Sequence, residues 1–152
     1  MIYLVDTNVL LRFVDRSHPL HPVIRAAIRY LRGDGHQLQV TSQNCVEFWN
    51  VATRPLERNG FGLAPANTER LLQLIERLFL VLPDSSAVYS EWRRLVVTFS
   101  VSGVQVHDAR LVAAMKVNNI SHILTLNVAD FTRYASENII AIAPEQVGRE
   151  IT

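Results

Sequence analysis

Five acidic or amide side chains could together bind a divalent cation: Asp6, Glu47, Asp108, Asn127 and Asp130. Hard oxygen ligands of this type favour Mg²⁺ or Mn²⁺ over zinc. If three or four carboxylates meet at one place, their mutual repulsion raises their pKa values unless a cation neutralises them. Such a site is typical of phosphodiester hydrolysis, in which the ion activates a water and stabilises charge on phosphorus. The residue types therefore indicate metal-assisted hydrolysis, provided that the residues converge in space.

Each of these residues also has an ordinary structural explanation. Asp6 and Asp108 could cap helices, because a carboxylate is favoured by the unpaired N–H groups and the dipole at a helix N-terminus. Glu47 could lie at the solvent edge of its helix, since carboxylates are rarely fully buried. Asn127 and Asp130 could belong to a turn. Each residue alone leaves both explanations open, and only their combination favours a site.

The elements that must position these residues follow from the apolar pattern. Short apolar runs predict five strands, over residues 2–5, 38–40, 80–82, 123–126 and 139–141. Apolar residues at helical spacing predict helices over residues 9–14, 22–32, 42–52, 67–78, 86–99 and 108–118, and a loop or short broken helix over 54–65. This alternation predicts one α/β domain over residues 1–152, with four to five mainly parallel strands covered by helices on both faces. Asp6 and Asn127 fall at the carboxyl ends of strands, where such sheets bind ligands.

Composition narrows the class of protein. A length of 152 residues, 49% of them hydrophobic, fits one domain with a core and excludes a disordered chain. No apolar run approaches a membrane span, and the single Cys45 excludes a disulfide scaffold, so we expect a cytoplasmic protein. Fifteen basic and fourteen acidic residues give a net charge of +1, which argues against a basic protein that coats nucleic acid.

Several arginines lie close in sequence to the acidic residues. Arg54 and Arg58, together with Phe61, could grip an RNA backbone and stack on a base. Arg110 follows Asp108 by two residues and could contact a phosphate. A solvated surface charge is the alternative explanation for each arginine. Trp92 is expected in the core.

Four segments, in this order, resemble the motifs of PIN domains, which are small metal-dependent nucleases. They are residues 4–10 (Leu-Val-Asp-Thr-Asn-Val-Leu), 42–48, 107–114 and 124–131. The resemblance covers essentially the whole chain and is greatest to the VapC-like toxin ribonucleases of bacterial toxin–antitoxin systems. It implies a three-layer α/β/α fold and an endoribonuclease that depends on Mg²⁺ or Mn²⁺.

The resemblance also implies roles for individual residues. The metal ligands would be Asp6, Glu47 and Asp108. Thr7 would orient groups within the catalytic site, Asn8 would support its loop, and both Asn8 and Thr125 would lie on the substrate side.

The fourth segment departs from the simplest family pattern. Many relatives have Asp where this chain has Asn127, and the acidic group here is Asp130. Either residue could fill the fourth catalytic position, where it would orient water or a second ion.

The resemblance implies partners as well: an RNA substrate, a small cognate antitoxin protein and a second copy of the chain in a homodimer. Two alternative functions stay open at this point. One is a non-toxic PIN nuclease in RNA processing or decay. The other is a catalytically silent binding module with the same fold.

Overall fold

The computed structural model describes residues 1–149, so the last three residues of the predicted domain lie outside the described part of the chain. Five strands form one sheet: β1 (Ile2–Val5), β2 (Gln37–Thr41), β3 (Leu80–Leu82), β4 (His122–Leu124) and β5 (Ile140–Ile142). Their order is β3-β2-β1-β4-β5, and all neighbouring pairs are parallel. Tyr3 of the central strand pairs with Leu38 on one side and with His122 on the other. The predicted parallel sheet is confirmed.

Helices cover both faces of this sheet. Within the described residues they are α1 (Thr7–Val14), α2 (His21–Gly33), α3 (Ser42–Thr53), α4 (Pro65–Leu78), α5 (Ala87–Thr98) and α6 (Gln105–Val117). Successive side chains of β1 point to opposite faces. Tyr3 and Val5 pack in the core formed with α1 to α4, and Leu4 packs in the core formed with α5 and α6. The molecule is therefore a three-layer α/β/α fold. No helix in residues 1–149 is long and apolar enough to cross a membrane.

The predictions were inexact mainly at the ends of elements. Helix α6 begins at Gln105, three residues before the predicted start, so Asp108 lies within its first turn instead of at its cap. Strand β4 ends at Leu124, two residues early, and the chain continues as a 3-10 helix over Val128–Glu137. Arg94 of α5 pairs with Glu137 at 2.8 Å and fixes the end of this segment. That contact lies 43 residues apart in sequence, so local patterning could not predict it.

The segment after α3 is an ordered loop that contains the short 3-10 helix Leu56–Arg58. The backbone N–H of Phe61 donates to the carbonyl of Val51 at 3.0 Å, which ties the loop back to α3. Gly60 packs directly on the backbone of Arg54, and a Cβ atom there would lie 1.9 Å from the Arg54 carbonyl oxygen. The loop can therefore close only with glycine at this position.

Gly60→Ala should destabilise the fold by about 2 kcal/mol, the usual cost of forcing extra atoms into a packed site. The matched control is Gly33→Ala at the end of α2, where an added Cβ meets nothing within 4 Å. That control should be neutral or stabilising by up to about 1 kcal/mol. Urea unfolding followed by circular dichroism measures both, and equal stabilities for the two variants would contradict the packing argument.

Candidate active site

The strand order creates a topological switch point between β1 and β4. After β1, the chain adds β2 and then β3 on one side of it, and β4 then pairs with the other side of β1. In parallel sheets, ligands bind in the crevice at the carboxyl ends of the strands that flank such a point. Asp6 follows β1 and Thr125 follows β4, so both residues lie at this crevice.

Asp6 is buried here although its side chain is a carboxylate, with an exposed fraction of 6%. One carboxylate oxygen accepts a hydrogen bond from the Thr7 backbone N–H at 2.8 Å, and the other accepts one from the Thr125 hydroxyl at 2.7 Å. Burial raises the pKa of Asp6 to about 6 in spite of these hydrogen bonds. The negative charges of Glu47 and Asp130 contribute a smaller part of this increase in the pKa.

Thr125 connects the end of β4 to Asp6 and is fully buried. Its hydroxyl donates to Asp6 and accepts from the backbone N–H of Asn127 at 3.0 Å. Asn8 ties the same turn to α1, because its Oδ1 accepts from the Leu126 N–H at 3.2 Å and its Nδ2 donates to the Thr125 hydroxyl at 3.5 Å. Asn8 and Thr125, both expected on the substrate side, thus lie in the network that holds Asp6.

Glu47 projects from α3 and is held at both carboxylate oxygens. Oε2 accepts from the Thr7 hydroxyl at 2.8 Å, and Oε1 accepts from Nε2 of Gln43 at 2.8 Å. The Thr7 hydroxyl in turn accepts from Nδ2 of Asn44, which is fully buried, at 3.0 Å. Thr7 and Asn44 therefore fix Glu47 against the first turn of α1, immediately after Asp6.

Sequence patterns did not identify two of these supporting residues, Asn44 and Gln43. Asn44 belongs to a capping box at the start of α3, in which its Oδ1 accepts from the Thr41 N–H at 2.9 Å and from the Thr41 hydroxyl at 2.8 Å. The Thr-x-x-Asn spacing is the signal that could have revealed it. Gln43 precedes Glu47 by four residues, a spacing that places both side chains on one helix face.

Gln43 also connects α3 to α6. Its Nε2 donates to the His107 carbonyl at 2.8 Å, and its Oε1 accepts from Nη1 of Arg110 at 2.9 Å. The guanidinium of Arg110 and the carboxylate of Glu47 thus lie on opposite sides of one amide group. The structure brings Arg110 next to the acidic residues.

Asp108 faces the crevice from the first turn of α6 and is half-buried. Burial raises its pKa to about 7, and the charges of Asp6, Asp130 and Glu47 add to the shift. Asp130 is exposed near the start of the 3-10 helix, three residues after the exposed Asn127. The four carboxylates thus influence one another electrostatically, and the structure groups the acidic residues at one edge of the sheet.

The two loop arginines, Arg54 and Arg58, lie beyond the C-terminal end of α3. Arg54 follows Glu47 by seven residues, about 10 Å along the axis at the usual helical rise. Its Nη2 donates to the carbonyl of Asn59 at 3.1 Å, so this guanidinium supports the loop. Phe61 packs against the core, whereas Arg58 is exposed. Arg54 and Phe61 are therefore engaged within the fold.

The acidic residues match a divalent cation in charge and donor type, because carboxylate oxygens are the ligands that Mg²⁺ and Mn²⁺ prefer. The raised pKa values of Asp6 and Asp108 mean that their burial and repulsion are not fully compensated by the protein. In residues 1–149, however, no set of three His, Cys, Asp or Glu side chains is arranged closely enough in this structure to hold one ion. Both oxygens of Asp6 and of Glu47 instead accept hydrogen bonds from the protein.

Comparisons with known proteins agree with this architecture. The family model for the PIN domain matches residues 3–137. One similar structure is a chain of VapBC2 from Rickettsia felis, in a crystal structure in which VapBC2 is bound to a DNA fragment from its promoter. The two chains are 14% identical, 94% of this chain and 98% of that chain are covered, and the TM-score is 0.71. A chain of VapBC-1 from nontypeable Haemophilus influenzae is 16% identical, with coverages of 95% and 98% and a TM-score of 0.67. A chain of a toxin–antitoxin complex from Klebsiella pneumoniae is 15% identical, with coverages of 93% and 97% and a TM-score of 0.65.

At these identities the similar structures establish the fold. Comparison with curated proteins gave no match. The fold and the crevice define a three-layer α/β domain with an acidic cluster at its switch point. The chain belongs to the PIN domain family, because the family model covers most of its length. The predicted resemblance is therefore confirmed.

When a chelator keeps divalent cations away from the acidic cluster, removing one of its negative charges should raise the free energy of unfolding. The pKa of Asp108 is raised in the folded state from 3.8 to about 7, so folded molecules bind a proton that unfolded ones release between these values. Stability therefore falls as the pH rises through this window. Asp108→Asn should match the unsubstituted protein at pH 4 and be more stable at pH 8, by about 1 kcal/mol after solvent screening of a half-exposed group.

Urea unfolding in EDTA at pH 4, 6 and 8 measures this difference. The control is Glu145→Gln, which alters an exposed carboxylate on the 3-10 turn Pro144–Gln146 and should show no such trend. A variant Asp108→Asn that is no more stable than the unsubstituted protein at pH 8 would argue that the carboxylates do not repel one another.

Proposed function

We propose that this protein is an endoribonuclease that hydrolyses RNA phosphodiester bonds with Mg²⁺ or Mn²⁺. The observation that carries the proposal is the grouping of four carboxylates at the switch point of a PIN domain sheet, where Asp6 and Asp108 have pKa values near neutrality. Carboxylates that repel one another destabilise a fold, so a functional role is the simplest reason for gathering them. Nucleases of this family generally use divalent metal ions, which matches the donor types of the cluster.

The residues of the cluster divide into ligands and supports. The ligands for the ion would be Asp6, Glu47 and Asp108. When bound, such an ion lowers the pKa of a water and stabilises negative charge on phosphoryl oxygens. Thr125 holds the carboxylate of Asp6 and Thr7 holds that of Glu47, so both threonines orient ligand oxygens by hydrogen bonds. Asn8 supports Thr125 and the turn after β4, so its role is also positional.

The exposed rim of the crevice supplies groups for water and substrate. The carboxylate of Asp130 can accept a proton from an attacking water, and the amide of Asn127 can orient that water. Arg110, beside the cluster, can bind a phosphate oxygen through its guanidinium. Arg58 is exposed and can contact RNA farther from the crevice, whereas Arg54 supports its own loop.

Asp6→Asn and Asp108→Asn should each lower the rate of RNA cleavage at least about 100-fold, since a metal ion contributes several kcal/mol of transition-state stabilisation. Gel assays with Mn²⁺ or Mg²⁺, and with EDTA as the metal-free control, measure the rate. Circular dichroism checks that both variants fold, and Glu145→Gln controls for loss of a remote charge. Full activity in both site variants would refute the assignment.

We also propose that the protein is the toxin of a type II toxin–antitoxin pair, acting in the cytoplasm as a homodimer and inhibited by a small cognate antitoxin. The support is the similarity to chains of VapBC complexes and of a toxin–antitoxin complex. The similarity extends over nearly the full length of this chain and of each matched chain. Expression in cells distinguishes this role from the other functions of a PIN nuclease.

Induced expression in a bacterial host should arrest growth, and Asp6→Asn should abolish the arrest while the protein accumulates to the same level. Co-expression of the neighbouring gene's product should restore growth. Harmless expression of a protein that cleaves RNA in vitro would instead indicate a PIN nuclease of RNA processing or decay. If purified protein neither binds Mn²⁺ nor cleaves RNA, the chain is a catalytically silent binding module.

A further inference from the structure

A groove between α5 and α6 lies beside the acidic cluster and has a volume of about 360 Å³. Polar, aromatic and aliphatic side chains line it: Ser85, Ser86, Val88, Tyr89, Trp92 and Arg110. The groove thus combines hydroxyl groups, two aromatic rings and one guanidinium. Nothing in the proposed metal site uses Tyr89 or Trp92.

Two neighbouring aromatic rings, one exposed and one half-buried, line this groove. Tyr89 is 66% exposed, and its ring centroid lies 6.0 Å from that of Trp92, with 34° between the ring planes. Trp92, expected in the core, is only half-buried, and its Nε1 donates to the carbonyl of Val106 at 2.9 Å. That hydrogen bond anchors the indole to α6, so Trp92 gives the Tyr89 ring a fixed neighbour at the edge of the groove.

Arg110 joins this groove to the acidic cluster. Its Nη1 donates to Gln43, and the same amide donates to Glu47, so one amide separates the guanidinium from a proposed metal ligand. A phosphate bound by Arg110 would thus be close to the phosphodiester at the crevice. The nucleotide next to the cleaved bond is therefore the part of an RNA chain that would reach the groove.

We propose that this groove binds an unpaired nucleobase of the RNA substrate, next to the scissile phosphodiester. The base stacks on Tyr89, Arg110 binds the adjoining phosphate, and Ser86 can hydrogen-bond to the base edge. Exposed aromatic rings beside arginine are the combination by which proteins bind single-stranded RNA, because a paired base cannot stack on a side chain. This inference rests on the proposed nuclease function and adds to it a subsite for the base next to the cleaved bond.

The test is binding of fluorescein-labelled hexaadenylate and hexauridylate in EDTA, followed by fluorescence anisotropy. Tyr89→Ala removes the ring on which the base stacks and should weaken binding about 10-fold. Tyr89→Phe keeps the ring and should retain the affinity. Tyr30→Ala is the matched control, since Tyr30 is the other exposed tyrosine and lies on α2.

An abasic hexamer separates stacking from general effects on the protein. It should bind equally to the unsubstituted protein and to Tyr89→Ala, because it carries no base. Equal weakening of the abasic and normal hexamers would overturn the proposal, and so would unchanged binding by Tyr89→Ala. Sedimentation velocity without RNA adds a further check: if Tyr89→Ala dissociates a dimer, a second copy covers the groove and the proposal is overturned.

Failure of this inference differs from failure of the nuclease function. If the unsubstituted protein cleaves RNA but Tyr89→Ala binds hexamers normally, only the base site is refuted. If base-dependent binding is lost in Tyr89→Ala but no metal supports cleavage, the groove stands and the nuclease proposal falls.

Discussion

Repulsion between carboxylates at one edge of the sheet is the constraint on which the architecture of the crevice depends. Asp6 is almost fully buried, and the charges of Glu47 and Asp130 act on it. A buried charge is tolerated only when hydrogen bonds replace its hydration. The backbone N–H of Thr7 and the hydroxyl of Thr125 supply two such bonds. Even so, burial and charge prevail, and the pKa of Asp6 stays well above that of a free aspartate.

The buried polar residues around the cluster form a chain that satisfies its own hydrogen-bonding groups. Thr41 donates to Asn44, Asn44 donates to Thr7, and Thr7 donates to Glu47. The first link fixes the start of α3 beside the end of β2, and the other two join α3 to α1, so the chain sets β2, α3 and α1 in register around Asp6. A partly satisfied network would cost more than an apolar core. The same bonds that orient the ligands therefore also stabilise the three-layer packing at this edge.

Apolar patterning predicted the sheet and the helices because each strand and helix carries its own local signal. The acidic residues were predictable for the same reason, since Asp6 directly follows a strand and Asp108 lies at a helix start. The contacts of Asn44 with Thr7 and of Gln43 with His107 were not, because these partners lie 37 and 64 residues away and are set by how α1, α3 and α6 pack. The contact of Arg54 has no local signal in the sequence either. Its guanidinium donates to the carbonyl of Asn59 within its own loop, a geometry that is set by how the loop closes.

The amide of Gln43 makes the acidic cluster and the groove between α5 and α6 interdependent. An amide has one acceptor oxygen and one donor nitrogen, and here the oxygen accepts from Arg110 while the nitrogen donates to Glu47 and to the His107 carbonyl. Rotating the amide to release either partner would point oxygen at the Glu47 carboxylate, which repels it. The position of Arg110 in the groove and the orientation of Glu47 at the crevice are therefore determined together, and neither is a property of its own helix.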